Sequence, residues 1–336
     1  TRASVGPGVG RCSHPETEPG RLLVQSHRSL VGRGPGPRHL ICPTSAEHLL
    51  PNDGGLTVPK MRAIRGLRAN PEVLNPGDVI CPPYDVIAPD LHQKLLDHSP
   101  DNAVRWILGE DPDSPVGEEV FRGCGAALRG AFEEGRLIRE ESRSFYRYCI
   151  RYCSETGEDH QLDGILAAVE SRPWGEGVLR HEEIRPHTVK RLVDQARCTR
   201  IDTGVVMLTC EGLEDALTEV GVGLGCGELV FEKQDWNGTT HILHRIDDPQ
   251  LVTAMEQRIA DMPSAVADGH HRYTTALELK DDPELPAAGM VLAFLCDMNQ
   301  EGLRILPTHR VWSWDQGDLA PEQVRDRIVD ALDDGA

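Results

Sequence analysis

The chain has 336 residues, 39% of them hydrophobic and 26% charged, so it is long enough for two domains and has the balance of an ordinary folded protein. Its formal net charge of −19 argues against a nucleic-acid partner, which would need a basic face, but leaves room for a local basic pocket around one small anion. No apolar run approaches the roughly 18–20 residues of a membrane span, so no membrane partner is expected.

The first 60 residues differ from the rest. They hold seven Lys and Arg against four Asp and Glu, leaving 28 basic against 50 acidic residues from position 61 onward. They also carry 17 Gly and Pro with no sustained periodicity. Residues 1–60 are therefore expected to be a disordered or non-native extension, with Met61 as the natural start. They lack the continuous apolar stretch of a signal peptide. The ten cysteines form no Cys-x-x-Cys pair, which disfavours a structural zinc site, and a cytoplasmic location with reduced thiols is the expectation.

From Met61 the pattern alternates between strand and helix. Strands are expected at 63–67 and 103–108, with a rigid Pro82-Pro83-Tyr84-Asp85 turn between them and a helix at 89–98. A helix at 118–134 carries Val120, Phe121, Ala127, Leu128 and Phe132 on one side. Strands at 145–152 and 161–169 flank a polar turn. A helix at 188–196, a strand at 204–208 and a helix at 213–220 follow. A Gly-rich stretch, 221–227, precedes a strand at 241–246 and a helix at 249–260. Strands at 263–267 and 290–296 enclose a helix over 273–280, and a last helical pattern covers 321–332. The expected fold is mixed α/β, with an N-terminal part at 61–170 and a C-terminal part at 171–336.

The densest chemistry is Asp268-Gly269-His270-His271-Arg272, at the junction of the 263–267 strand and the following helix. Such a turn aims free backbone N–H groups and the positive end of a helix dipole at one point. Gly269 lets the backbone approach closely, and two imidazoles and a guanidinium add donors, a combination suited to a phosphate. Asp268 is the candidate ligand for a Mg²⁺ ion carried on a nucleotide; two adjacent histidines on one regular element diverge and do not favour a shared transition metal.

Other polar clusters lie apart in sequence. Arg180-His181-Glu182-Glu183, followed by Arg185, His187, Lys190 and Arg191, offers a possible general base in Glu182, or else a solvated charged loop. Asp85 is either a site residue or a cap for the segment after it. Pro307-Thr308-His309-Arg310 repeats a His-Arg pair at a strand end, where Arg310 is a second candidate anion ligand. No Gly-x-Ser-x-Gly and no Gly-x-x-x-x-Gly-Lys-[Ser/Thr] occurs, which disfavours a serine hydrolase and a P-loop nucleotidase.

Several of these stretches occur together in one known family. Pro82-Pro83-Tyr84-Asp85-Val86-Ile87, Arg180-His181-Glu182 with Arg191, Asp235-x-x-Gly238-x-x-His241, Ala267 to Tyr273, and Leu306 to Arg310 resemble the bacterial and archaeal family called domain of unknown function 1015. The resemblance spans roughly 61–312. One departure is Ile184-Arg185, where that family usually has a threonine. Members tend to run longer, which implies a truncated C-terminal portion. The five-residue motif is also similar to the phosphate-binding signature of the ParB/sulfiredoxin superfamily, whose free-serine kinases carry nearly the same residues.

That second resemblance implies a ParB/sulfiredoxin-like mixed sheet and a phosphotransferase acting on a small hydroxylated metabolite, free serine among the candidates, with ATP or ADP. It implies Gly269, His270, His271 and Arg272 as phosphate ligands, to which the Arg310 candidate is added, and Glu182 as base, with Asp268 and His270 also in the catalytic set. His181, His309, Arg191 and Asp85 are further candidates. The alternatives are a phosphomonoester hydrolase and a non-catalytic nucleotide-binding regulator. A sulfiredoxin-like reductase is disfavoured, because His270 stands where that chemistry places a cysteine.

Overall fold

In chain order the elements are β1 (Met61–Arg62), β2 (Leu67–Ala69), α1 (Pro76–Val79), α2 (Pro89–His98), α3 (Val104–Ile107), α4 (Glu118–Glu133), β3 (Leu137–Arg139), β4 (Phe145–Cys153), β5 (Asp159–Glu170) and β6 (Val178–Leu179). There follow α5 (Pro186–Thr199), β7 (Val206–Cys210), α6 (Leu213–Glu219), β8 (Glu228–Gln234), β9 (Thr240–Ile246), α7 (Pro249–Ile259), β10 (Ser264–Asp268), α8 (His270–Leu279) and β11 (Met290–Asp297). The computed structural model describes residues 60–305 except 155, 261 and 286, together with 323, 325 and 326. The expectations for residues 1–59, for His309 and Arg310 and for the 321–332 helix lie outside the described residues.

One mixed sheet organises the chain, in the order β6-β10-β7-β11-β5-β4-β9-β8, with β1 paired to β5. β10 runs parallel to β6, and β7 parallel to β11; the other pairings are antiparallel. Strands from both sides of residue 170 therefore share one hydrogen-bonded sheet: β5 pairs with β11, and β4 with β9. This is a mixed α/β fold. Among the described residues no helix is long and apolar enough to cross a membrane.

Strand alternation gives the sheet two apolar faces. Ile165, Ala167, Leu208, Ala293 and Leu295 point to one face, where Leu213 and Leu217 of α6 and Met255 and Ile259 of α7 cover them. Leu162, Leu166, Met207 and Phe294 point to the other. There α8 packs on β7 and β11, α5 on α8, and α4 on α5. Gly164 lets β5 and β11 come together, since a Cβ at that position would lie 2.2 Å from the Leu295 carbonyl oxygen.

Two local expectations are corrected, the strands at 63–67 and 103–108. Residues 63–66 join β1 to β2 and carry only the isolated bridge Ile64–Ser144. The 103–108 segment forms the single helical turn α3, because the Asn102 side-chain oxygen accepts the Val104 N–H at 3.1 Å and its amide holds the carbonyls of Asp78 and Ile80. Beyond the Gly-rich stretch lies β8, for which the sequence offered no expectation: it is an edge strand whose Glu228, Glu232, Lys233 and Gln234 face solvent, so it shows no amphipathic pattern.

Candidate functional site

The strand–helix turn forms where the sequence places it. β10 ends at Asp268, Gly269 takes the left-handed conformation (φ +95°), and α8 begins at His270 with no side-chain cap. The first-turn N–H groups therefore lack intrahelical partners and point out of the helix start. Gly269 is needed twice over. Its backbone is one that L side chains avoid, and a Cβ there would sit 3.1 Å from the Arg272 guanidinium.

The structure brings the 181–185 loop onto this turn, and the two histidines hold it there. The His181 N–H donates to His270 Nε2 at 3.2 Å, and the Arg185 N–H donates to His271 Nε2 at 3.1 Å. His181 Nε2 in turn lies 3.3 Å from the Ala267 carbonyl oxygen. The His181 ring meets the His270 ring edge-on at 4.4 Å, and Trp174 stacks on the other side of His270 at 6.0 Å. His270 is only 2% exposed. Burial, then the neighbouring His181, push its imidazole below the ordinary histidine range, so it stays neutral. With Nε2 accepting, the neutral ring carries its proton on Nδ1, which faces the Glu182 carboxylate at 3.6 Å. Glu182 itself is about half exposed.

Arg272 is committed inward. It forms an ion pair with Asp268 one helical turn back and donates to the Val205 carbonyl. This pair lines a cleft of about 910 Å³ between the second sheet face and helices α5 and α8. Pro82, Pro83 and Tyr84 line the same cleft, and Arg191 lies over the Tyr84 ring at 4.2 Å. Asp85 sits exposed on the 3-10 turn Tyr84–Val86; it caps neither that turn nor α2.

Four cleft residues were assigned no role by sequence reasoning: Asp202, Tyr148, Asp235 and His241. Asp202 lines the cleft and keeps surface accessible there, although protein surrounds it densely. Its carboxylate accepts N–H groups from Leu292 (2.7 Å) and Gly204 (3.3 Å), yet burial pushes its pKa up to about 6. Tyr148, His241 and Asp235 form a hydrogen-bonded chain. Asp235 and His241 were visible as part of a family-like pattern. Nothing local in sequence marks Tyr148, one aromatic among several on an alternating strand.

Among the described residues no group of three His, Cys, Asp or Glu side chains is arranged to hold a metal ion. Asp268 supplies one carboxylate, already paired with Arg272. That donor set suits only an ion that arrives with phosphates and brings most of its own ligands.

Fold and site thus define a mixed α/β protein in which an uncapped helix start meets a histidine-clamped loop beside a deep cleft. A family model described as Protein of unknown function (DUF1015) matches residues 61–333, and the chain belongs to that family. No curated protein and no solved structure matches it.

Proposed function

We propose that this protein is a phosphotransferase, moving a phosphoryl group from ATP or ADP to a small hydroxylated metabolite such as free serine, and that its strand–helix unit is related to the ParB/sulfiredoxin superfamily. The observation that carries this reading is the delivery of Glu182 to the start of α8 by two backbone-to-histidine hydrogen bonds. A helix start with free N–H groups neutralises phosphate charge without any basic surface, which suits a chain of net charge −19.

In this reading the N–H groups of Gly269, His270 and His271 receive phosphate oxygens, while the two imidazole rings position the loop. Glu182 accepts the proton of the attacking hydroxyl as the oxygen–phosphorus bond forms and the bond to the nucleoside diphosphate or monophosphate breaks. Arg272 holds Asp268 in place, and Asp268 would hold a Mg²⁺ carried in on the donor, which would supply charge neutralisation. Most of the rate comes from positioning and charge neutralisation.

The test is product formation from ATP or ADP with a panel of hydroxylated amino and organic acids, followed by mass spectrometry. Glu182→Gln is expected to lower kcat by about 10²–10⁴-fold, the usual contribution of a general base. Absence of any phosphorylated product across the panel overturns the reading.

A further inference from the structure

The cleft next to the turn carries a polar chain that phosphate binding does not use. Asp235 Oδ1 accepts the N–H groups of Asn237 and Thr239, both at 2.9 Å, which fixes the carboxylate in the β8–β9 turn. Its Oδ2 lies 3.2 Å from His241 Nε2, and His241 Nδ1 lies 2.6 Å from the Tyr148 hydroxyl. The Tyr148 and His241 rings are nearly coplanar, with planes 10° apart along the hydrogen bond that joins them, and Phe294 meets Tyr148 edge-on at 5.5 Å. All four residues line the cleft.

The directions of these hydrogen bonds follow from chemistry. A carboxylate only accepts, so His241 donates from Nε2, and in the singly protonated ring that is its one N–H. Its Nδ1 is then a lone pair, and at 2.6 Å only the Tyr148 O–H can supply the proton between them. Burial, then Asp235, push the Tyr148 phenol above the ordinary tyrosine range, so it keeps that proton. The hydroxyl has spent its one donor on His241 and has only lone pairs left to offer.

The charged side chains of the cleft leave an acceptor as well. Arg272 is paired with Asp268, and Arg200 with Glu284 at 3.7 Å. Asp202 has no side-chain ion partner among the described residues. Tyr148 and Asp202 thus offer acceptors to a ligand, beside the Trp236 indole and the Asn237 side-chain amide, which can donate.

We propose that Tyr148, locked as a hydrogen-bond acceptor by His241 and Asp235, is a specificity-determining residue that, in the complex formed before nucleotide binds, receives a hydrogen bond from the hydroxyl group of a small polar substrate lodged in the cleft; for transfer that hydroxyl turns its one proton to Glu182. The choice of a hydroxylated compound rests on the phosphotransferase reading; the acceptor state of Tyr148 does not. An unpaired acceptor in such a site rejects the analogue that lacks the donor more strongly than an apolar pocket discriminates a methylene.

The test is calorimetric binding without nucleotide, using hydroxyl/deoxy pairs: L-serine with L-alanine, L-homoserine with L-2-aminobutyrate, and L-threonine also with L-2-aminobutyrate. At least one hydroxylated member is expected to bind about tenfold or more tightly than its partner, equivalent to about 1.4 kcal/mol. Tyr148→Phe is expected to bring that ratio near one while leaving the deoxy affinity unchanged, which shows that the cleft is intact. ¹⁵N spectra of the histidine rings provide a ligand-free check: His241 should be protonated on Nε2 and bare on Nδ1. Discrimination that survives Tyr148→Phe, a panel without discrimination, or a proton on His241 Nδ1 overturns the proposal. Hydroxyl discrimination without phosphorylated product would instead retire the phosphotransferase reading and leave this one standing.

Discussion

Replacing Gly269 by Ala probes the turn most directly. At φ +95° an L residue is strained, by about 1–2 kcal/mol for a left-handed conformation. The added Cβ would also stand 3.1 Å from the Cζ, Nε and Nη2 atoms of Arg272, tighter than ordinary contact, so the guanidinium must move. If that shift breaks its hydrogen bond to the Val205 carbonyl, about 1 kcal/mol more is lost. A total of about 2–3 kcal/mol lowers Tm by about 4–12 °C for a body of this size. Gly212 is the matched control. It also precedes a helix with positive φ (+72°), but a Cβ there meets nothing within 4 Å, so Gly212→Ala should show the conformational cost alone. Thermal and urea unfolding followed by circular dichroism measure both variants. A Gly269→Ala protein as stable as the parent, or gaining the 0.4–1 kcal/mol or so typical of Gly→Ala at ordinary φ, refutes the reasoning.

Three further outcomes are expected. His271→Ala removes the acceptor of the Arg185 N–H; amide exchange at Arg185 should accelerate, with about 0.5–1.5 kcal/mol lost, whereas unchanged protection would mean the loop is held elsewhere. Asp202→Asn should gain stability relative to the parent as pH rises. The unfolded chain releases this proton near 4 and the native state keeps it until about 6, so the parent loses stability across that window and the variant does not; parallel Tm profiles from pH 4 to 7 would count against the carboxylate's burial. His270 has the opposite sign. Its folded pKa is depressed, so the unfolded chain takes up a proton first as pH falls below about 6.5. The parent should lose stability there, and His270→Gln, which can still accept the His181 N–H, should flatten that slope.

Much of the fold was legible because its signals are local. The apolar spacing after Gly269 and within 188–196 revealed α8 and α5, although α8 starts three residues and α5 two residues earlier than expected. The alternation within β4, β5 and β11 marks the sheet. The 103–108 segment was not legible, because a short apolar run reads equally well as strand or helix and Asn102 decides it through contacts with Asp78 and Ile80. The site divides the same way. Its residue types were visible, but the direction of the two imidazoles was not. Both accept backbone N–H groups from positions about 86–89 residues earlier in the chain, a relation that no local pattern encodes.

The spacing Gly-His-His-Arg acquires a packing reason from the structure. The Arg272 side chain passes between two glycines: a Cβ on Gly204 would lie 2.8 Å from its Cδ, and one on Gly269 3.1 Å from its guanidinium. Only with both positions bare can the guanidinium reach the Val205 carbonyl and Asp268 together. Gly269 thus frees the helix start for an anion and makes room for the arginine that ties this start to β7. A lysine at 272 could offer a point charge to one of these partners but not the planar fork that spans both. The turn and the cleft are therefore mechanically one unit: the pair Asp268–Arg272 is at once the edge of the helix start and part of the cleft wall. On the phosphotransferase proposal, a ligand pair with phosphate at the helix start and the hydroxylated partner in the cleft would have its two ends registered by a single side chain.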